Sequence, residues 1–250
     1  MVWRQLDHPN VLQFIGVDSK TFDLPSLVMP WMQNGNLFDY VSNIIHPACH
    51  HLMELGHGVL KGLSYLHSNH VVHGDLRCAN VLLNDMGQPC LADFGLAVFV
   101  EETHDRGSND LAEGGFNDHA AGSQSTYAGS LRWLAPEALV SDSPYYEWRR
   151  RPSRDIYAFG SLCLEIFTGF EPYYPDIQQD AALPLWIFQH KRPPRPVFHQ
   201  SWGGLVDLYL RGERGFVERC WDENPASRPT CEDLLKSMEE YFNVGWSTSL

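Results

Sequence analysis

The chain has 250 residues, 44% apolar and 12% aromatic, enough to fill one large core or two smaller lobes and too rich in aromatic side chains for a disordered chain. Its formal net charge of −13 repels nucleic acid and anionic lipid, so neither is an expected partner. The six cysteines show no C-x-x-C spacing, no apolar run approaches the roughly 20 residues of a membrane span, and the N-terminus lacks a basic-then-apolar leader; reduced thiols, no membrane span and a cytoplasmic location are expected.

In chain order, residues 1–32 are compact and mixed. Residues 11–17 predict one strand and 27–29 a second, stopped by Pro30. Leu52, Leu55, Val59, Leu63 and Leu66 recur at spacings of three and four, which predicts a helix over 49–69 with one apolar face. Short strands are predicted at 71–72 and 81–83, then a turn at Asn84-Asp85-Met86-Gly87 leading to a strand around Cys90 and Leu91. Residues 101–127 carry six acids and one Arg among Gly, Ser and Asn, and read as a mobile insert with nothing to bury. The basic run Arg149, Arg150, Arg151 and Arg154 reads as a solvated loop.

The stretch 155–169 predicts a helix that Asp155 caps at its start and Gly169 at its end. Between these two, only Glu165 is charged, so the helix is expected to be buried on nearly every side and to organise the core. A last helix opens with a capping-box-like Thr230 and Asp233 and is expected to bury Leu234, Leu235, Met238 and Tyr241.

Two acidic constellations carry the chemistry. His73-Gly74-Asp75-Leu76-Arg77-Cys78-Ala79-Asn80 follows the amphipathic helix, and Ala92-Asp93-Phe94-Gly95 follows the next hairpin. A carboxylate, a cation and a carboxamide within six residues, with a second carboxylate thirteen residues on, suit phosphoryl transfer. Asn80 and Asp93 offer hard oxygen ligands to Mg²⁺, Arg77 can neutralise phosphoryl charge, and Asp75 can orient an attacking hydroxyl and accept its proton. Each piece alone is a common loop or turn; order and spacing carry the weight.

With Gly129-Ser130-Leu131-Arg132-Trp133-Leu134-Ala135-Pro136-Glu137, Asp155-Ile156-Tyr157-Ala158-Phe159-Gly160 and the run from Cys220 to Thr230, these motifs resemble the protein kinase superfamily over almost the whole chain. The resemblance implies an α+β, bilobal fold. Residues 1–32 would be a remnant of the β-rich N-lobe with the hinge, and 33–242 a nearly complete, mainly α-helical C-lobe. An activation segment would span 93–137, including the insert, with a C-terminal tail over 243–250. The resemblance also implies Asp75 as catalytic base, Arg77 on the terminal phosphate in a place usually held by Lys, and Asn80 and Asp93 on Mg²⁺. Met29 falls at the gatekeeper position, the Met32 backbone would meet adenine, and Leu82 with Val81 would line the floor of the adenine pocket. The implied cofactors are ATP and Mg²⁺, and the implied partner is a protein substrate. His73, Phe94, Trp3 and Phe14 would stack in a column, Glu137 would pair with Arg228, and Asp155 would bond the catalytic-loop backbone.

Some residues depart from that pattern. No G-x-G-x-x-G loop and no V-A-I-K-like lysine occur in the 250 residues. The expectation is therefore an N-terminally truncated chain of doubtful activity, or alternatively a catalytically silent binding or scaffold module. An exposed apolar underside around Val11, Phe14 and Val28 would follow. Gly74 stands where the family usually has an Arg that grips a phosphorylated segment, so activity is expected not to depend on phosphorylation of Ser123, Ser125, Thr126 or Tyr127. Arg77-Cys78-Ala79-Asn80 and Arg132-Trp133 have a tyrosine-kinase flavour. Ser130, where those enzymes tend to carry Pro, can bond Asp75 and Arg77 as in serine/threonine enzymes. The mix resembles the tyrosine-kinase-like group of serine/threonine kinases.

Overall fold

The computed structural model describes residues 2–22, 24–44, 48–100, 130–140, 148–194 and 215–245. The expected insert over 101–127, with Ser123, Ser125, Thr126 and Tyr127, lies outside them, as does Gly129.

The described strands form three antiparallel pairs. β1 (Gly16–Asp18) pairs with β2 (Ser26–Val28), β3 (Val71–Val72) with β6 (Val98–Phe99), and β4 (Val81–Leu83) with β5 (Pro89–Leu91). The described helices are α1 (Leu37–Asn43), α2 (Cys49–Ser68), α3 (Glu137–Val140), α4 (Ser153–Thr168), α5 (Leu183–Phe188), α6 (Phe216–Cys220) and α7 (Cys231–Gly245). α7 runs into the stretch expected as tail. The result is a small β unit at the N-terminal end and a larger helical body, the α+β plan that the motifs imply.

α2 forms where its apolar spacing predicts and buries Leu52, Leu55, Val59, Leu63 and Leu66 against α7, α4 and β5. Gly62 on this helix is a close-approach position, because a Cβ there would lie 2.5 Å from the Asn10 carbonyl oxygen. The expected strand over 11–17 is not continuous. Its start belongs to one sheet and its end to another: Leu12 N–H donates to Leu91 O (2.8 Å) and Val11 bridges Leu91, whereas 16–18 pair with β2.

α4 is buried from Arg154 to Phe167 and packs on α1, α2 and α6, so it does centre the core. Gly169 closes it at φ 70 with its N–H on Glu165 O (2.8 Å). Asp155 is not its N-cap. The helix starts at Ser153 after Pro152, which leaves Asp155 in the first turn with its carboxylate turned to other elements. The basic run is not all solvated either: Arg154 is buried, whereas Arg150 and Arg151 are exposed. α7 opens with reciprocal bonds between Thr230 and Asp233, as the capping-box spacing predicts. It buries Leu234 and Met238 and half-buries Leu235; the Tyr241 side chain lies outside the described ones.

Arg228, its side chain fully buried, forks onto both oxygens of Glu137 at 2.7 and 2.8 Å and lies 5.1 Å from the Tyr157 ring centroid. This ties α3 to the turn before α7, as expected. A smaller core of Tyr173, Ile177, Leu183 and Ile187 packs against Leu131 and Leu139. Val28 is exposed as expected, together with Ile15, Val17, Phe22, Leu24, Leu27 and Trp31, but Val11 and Phe14 are not. Val11 is buried by its bridge to β5, and Phe14 packs on the main core.

Candidate active site

The loop 73–80 lies between β3 and β4 and is held by its backbone. On α4, Asp155 Oδ2 accepts the His73 N–H (2.8 Å) and Oδ1 accepts the Gly74 N–H (2.9 Å). Asp155 Oδ2 is also 3.0 Å from His67 Nε2, and Cys231 Sγ is 3.4 Å from His67 Nδ1. Burial opposes ionisation of Asp155, but the bond to His67 and the positive charge of Arg154 help to outweigh it and hold its pKa below the usual range. A buried carboxylate that accepts backbone N–H groups is a rigid anchor.

His73 links the two acidic constellations. Its Nδ1 accepts the Asp75 N–H (3.3 Å) and its Nε2 donates to Ala92 O (3.0 Å), one residue before Asp93. Those two bonds require the neutral ring with one donor and one acceptor. Burial lowers the His73 pKa in the same sense, against the opposing charge of Asp155.

Asp75 is the focus of the side chains. Its Oδ1 accepts from Ser130 Oγ at 2.6 Å, and its Oδ2 accepts from Asn80 Nδ2 at 2.8 Å. The same Asn80 nitrogen donates to Asp75 O at 2.8 Å. Arg77 Nε is 3.9 Å from Asp75 Oδ2, and its guanidinium carbon is 5.6 Å from the Trp133 ring centroid. The structure therefore brings Asp75, Arg77 and Asn80 together with Ser130. The Ser130 hydroxyl bonds Asp75, as its place in the sequence suggests; the bond described for it does not reach Arg77.

Asp93 is exposed, in left-handed backbone at φ 58 and ψ 72, and its Oδ1 accepts the Gly95 N–H (3.3 Å). The next residue, Phe94, continues a column of rings. Ring centroids are 5.3 Å apart for His73–Phe94, 5.1 Å for Phe94–Trp3 and 5.8 Å for Trp3–Phe14. Trp3 Nε1 donates to Leu12 O, which fixes the indole in the column. Met29, Met32 and Leu82 are half-buried and pack against the main core. The Met32 carbonyl accepts the Gly35 N–H (3.2 Å), and Leu83 N–H donates to Gly35 O (2.9 Å), which folds this stretch against β4.

Glu165, the lone charge expected on the buried helix, supports the loop at its far end. Its Oε2 accepts from Cys78 N (3.0 Å) and Trp133 Nε1 (2.8 Å), joining the loop to the stretch that carries Ser130. Burial pushes its pKa up to about 8, against those two bonds. The supporting roles of His67, Arg154, Glu165 and Trp133 were not legible in the sequence. Only Glu165 gave a signal, as a charge in an apolar helix; its partners are 87 and 32 residues away.

A family model described as protein kinase domain matches residues 1–241. The chain is similar to the serine/threonine/tyrosine-protein kinase HT1 of Arabidopsis thaliana, 31% identical over 240 residues, covering 95% of this chain and 52% of that protein. It is similar to the serine/threonine-protein kinase STY17 of Arabidopsis thaliana, 26% identical over 242 residues, covering 96% and 36%. It also matches the serine/threonine-protein kinase BCK1/SLK1/SSP31 of Saccharomyces cerevisiae, 28% identical over 247 residues, covering 96% and 14%. The chain thus spans about half or less of the length of these curated relatives. The family match over nearly all of the chain means that it belongs to the protein kinase domain family.

Proposed function

We propose that this chain carries the catalytic loop of an ATP- and Mg²⁺-dependent protein kinase that phosphorylates Ser and Thr hydroxyls. The observation that carries the reading is the Ser130 hydroxyl donating to Asp75 Oδ1 at 2.6 Å while Asn80 holds the other oxygen. A carboxylate fixed at one oxygen and bonded to an alcohol at the other has the arrangement a base needs to orient a substrate hydroxyl. Asp75 would hold the attacking hydroxyl and take its proton as the new P–O bond forms and ADP leaves. Arg77, spread over Trp133, would place its charge toward the phosphoryl oxygens.

The donor set fits Mg²⁺. Both side-chain bonds described for Asn80 use its nitrogen, which leaves its carbonyl oxygen for a hard cation, and Asp93 adds a carboxylate. Among the described residues, no group of three or more His, Cys, Asp or Glu could hold a metal by itself. A cation here would draw its other ligands from ATP phosphates and water, as Mg²⁺ prefers. When bound, it would supply charge neutralisation on the transferred group. Met29, Met32 and Leu82 would meet the adenine.

A second reading is a catalytically silent kinase-like binding or scaffold module. Calorimetry with ATP, with and without Mg²⁺, separates the two. The kinase reading expects Mg²⁺-dependent binding that Asp93→Asn loses. It also expects transfer of labelled phosphate to Ser and Thr of a protein mixture, which Asp75→Asn cuts by about 10²–10⁴-fold with ATP binding kept. Absence of ATP binding leaves a non-catalytic module or a fragment whose ATP-gripping part lies outside these 250 residues, and label confined to Tyr contradicts the Ser/Thr assignment.

A further inference from the structure

We propose that Arg154 is a positioning residue for Asp75, acting through the peptide that joins Gly74 to Asp75. Its effect on turnover rests on the kinase reading above; its effect on the loop does not.

Consecutive residues in the first turn of α4 hold the two backbone groups of Gly74. Asp155 Oδ1 accepts the Gly74 N–H at 2.9 Å, and Arg154 Nη2 donates to the Gly74 carbonyl oxygen at 2.6 Å. The other end of the Gly74–Asp75 peptide, the Asp75 N–H, is on His73 Nδ1 at 3.3 Å. With its C=O and N–H both engaged, that peptide plane cannot rotate without breaking a bond, and its orientation sets the direction in which the Asp75 side chain leaves the backbone.

Arg154 is itself fixed. It is 5% exposed, its Nη1 donates to Arg149 O at 3.3 Å, and its guanidinium carbon lies 4.6 Å from the Trp148 ring centroid. Gly74 is at φ +83, and a Cβ built there would be 2.6 Å from Leu96 O and 3.4 Å from Arg154 Nη1. The guanidinium therefore lies beside the space that a side chain at position 74 would enter. The loop takes its cation from α4 rather than from its own residue 74. Lys cannot reproduce this contact, because a planar fork that bonds the Gly74 and Arg149 carbonyls while lying on an indole is specific to Arg.

The test compares Arg154→Met, which keeps an apolar stem against Trp148, and Arg154→Lys with the full wild-type chain. Amide hydrogen exchange of the peptide covering 71–80 is followed by mass spectrometry, with the α2 peptide as internal control. Phosphoryl transfer and thermal midpoints are measured in parallel. Arg154→Met is expected to speed exchange in the loop but not in α2. Its kcat is expected to fall on the order of 10- to 100-fold, with KM for ATP and for protein substrate within about twofold. Arg154→Lys is expected to fall between the two in both exchange and kcat. Unchanged loop exchange in Arg154→Met overturns the proposal. So does an activity loss that only tracks the unfolded fraction, or an Arg154→Lys variant indistinguishable from wild type should the Met variant fail to fold. A wild type that transfers no phosphate sinks the kinase reading alone, since the exchange comparison still decides the clamp.

Discussion

At the scale of single residues, the buried guanidinium of Arg228 is matched by a carboxylate and by carbonyl oxygens. Arg228 forks onto Glu137 and also donates to the carbonyls of Asp222 and Ser153, at 2.9 and 3.1 Å. Removing one partner strands the other, so Glu137→Ala or Arg228→Ala is expected to cost on the order of 3–5 kcal/mol, read as a lower denaturation midpoint at unchanged slope. Exposed Arg150→Ala, measured alongside, is expected to change stability by less than about 0.5 kcal/mol. Equal effects would show that burial is not the source. The same logic separates what could be read in advance from what could not. Asp75, Arg77 and Asn80 fall within one loop, so their spacing already says that they can meet. Arg154 looked like part of a basic run because its partner, the Gly74 carbonyl, is 80 residues away and is not a side chain.

Helices and strands show a comparable division. α2 was legible because its apolar period is a local property that tertiary packing reinforces. The stretch 11–17 was not, because its two ends find different partners, β5 and β2, and pairing partners leave no mark in a single strand's pattern. For Asp155 the local pattern suggests a helix cap and the family resemblance a bond to the catalytic-loop backbone; an Asp at a helix start can make either, and here the loop bond is the one that forms.

Glu165, near the end of α4, makes the helix sensitive to pH. Its pKa is about 8 in the folded chain, above the ordinary glutamic acid range, with burial the chief cause. A carboxyl raised on folding binds its proton more tightly in the folded state. Its contribution is full below its unfolded pKa and is lost as pH rises through about 8. Glu165→Gln keeps an oxygen to accept from Cys78 N and Trp133 Nε1 but cannot ionise. The fall in Tm between about pH 5 and about pH 8 is therefore expected to be smaller in Glu165→Gln than in wild type. Parallel Tm–pH curves for the two proteins would refute this.

Over the described residues as a whole, the small β unit is one of the places where apolar side chains are exposed. Val17 and Leu27 are directly paired across β1 and β2 and are 51% and 44% exposed, and Ile15, two residues before Val17, is 61% exposed. A contiguous apolar face of this kind promotes association. The double variant Val17→Lys with Leu27→Glu puts opposite charges on a facing pair. It is expected to bind less of a hydrophobic dye and to scatter less light at high concentration, with the helical circular dichroism unchanged. Undiminished dye binding would place the sticky surface elsewhere. The bilobal α+β plan could be read from the order of five motifs, because each motif belongs to a known place in the fold. The position of the exposed face could not, because Val11 and Phe14 are covered by contacts with β5 and the core that no local pattern encodes.

One helix supports all of this machinery. α4 supplies Asp155 and Arg154 to one end of the loop 73–80 and Glu165 to the other, and it is also the most deeply buried helix described. A loop hung from the periphery can melt while the body of a protein stays folded. A loop hung from the innermost helix has no separate melting point, because the helix can release it only when the core around the helix gives way. Heat should therefore switch this molecule off in a single step.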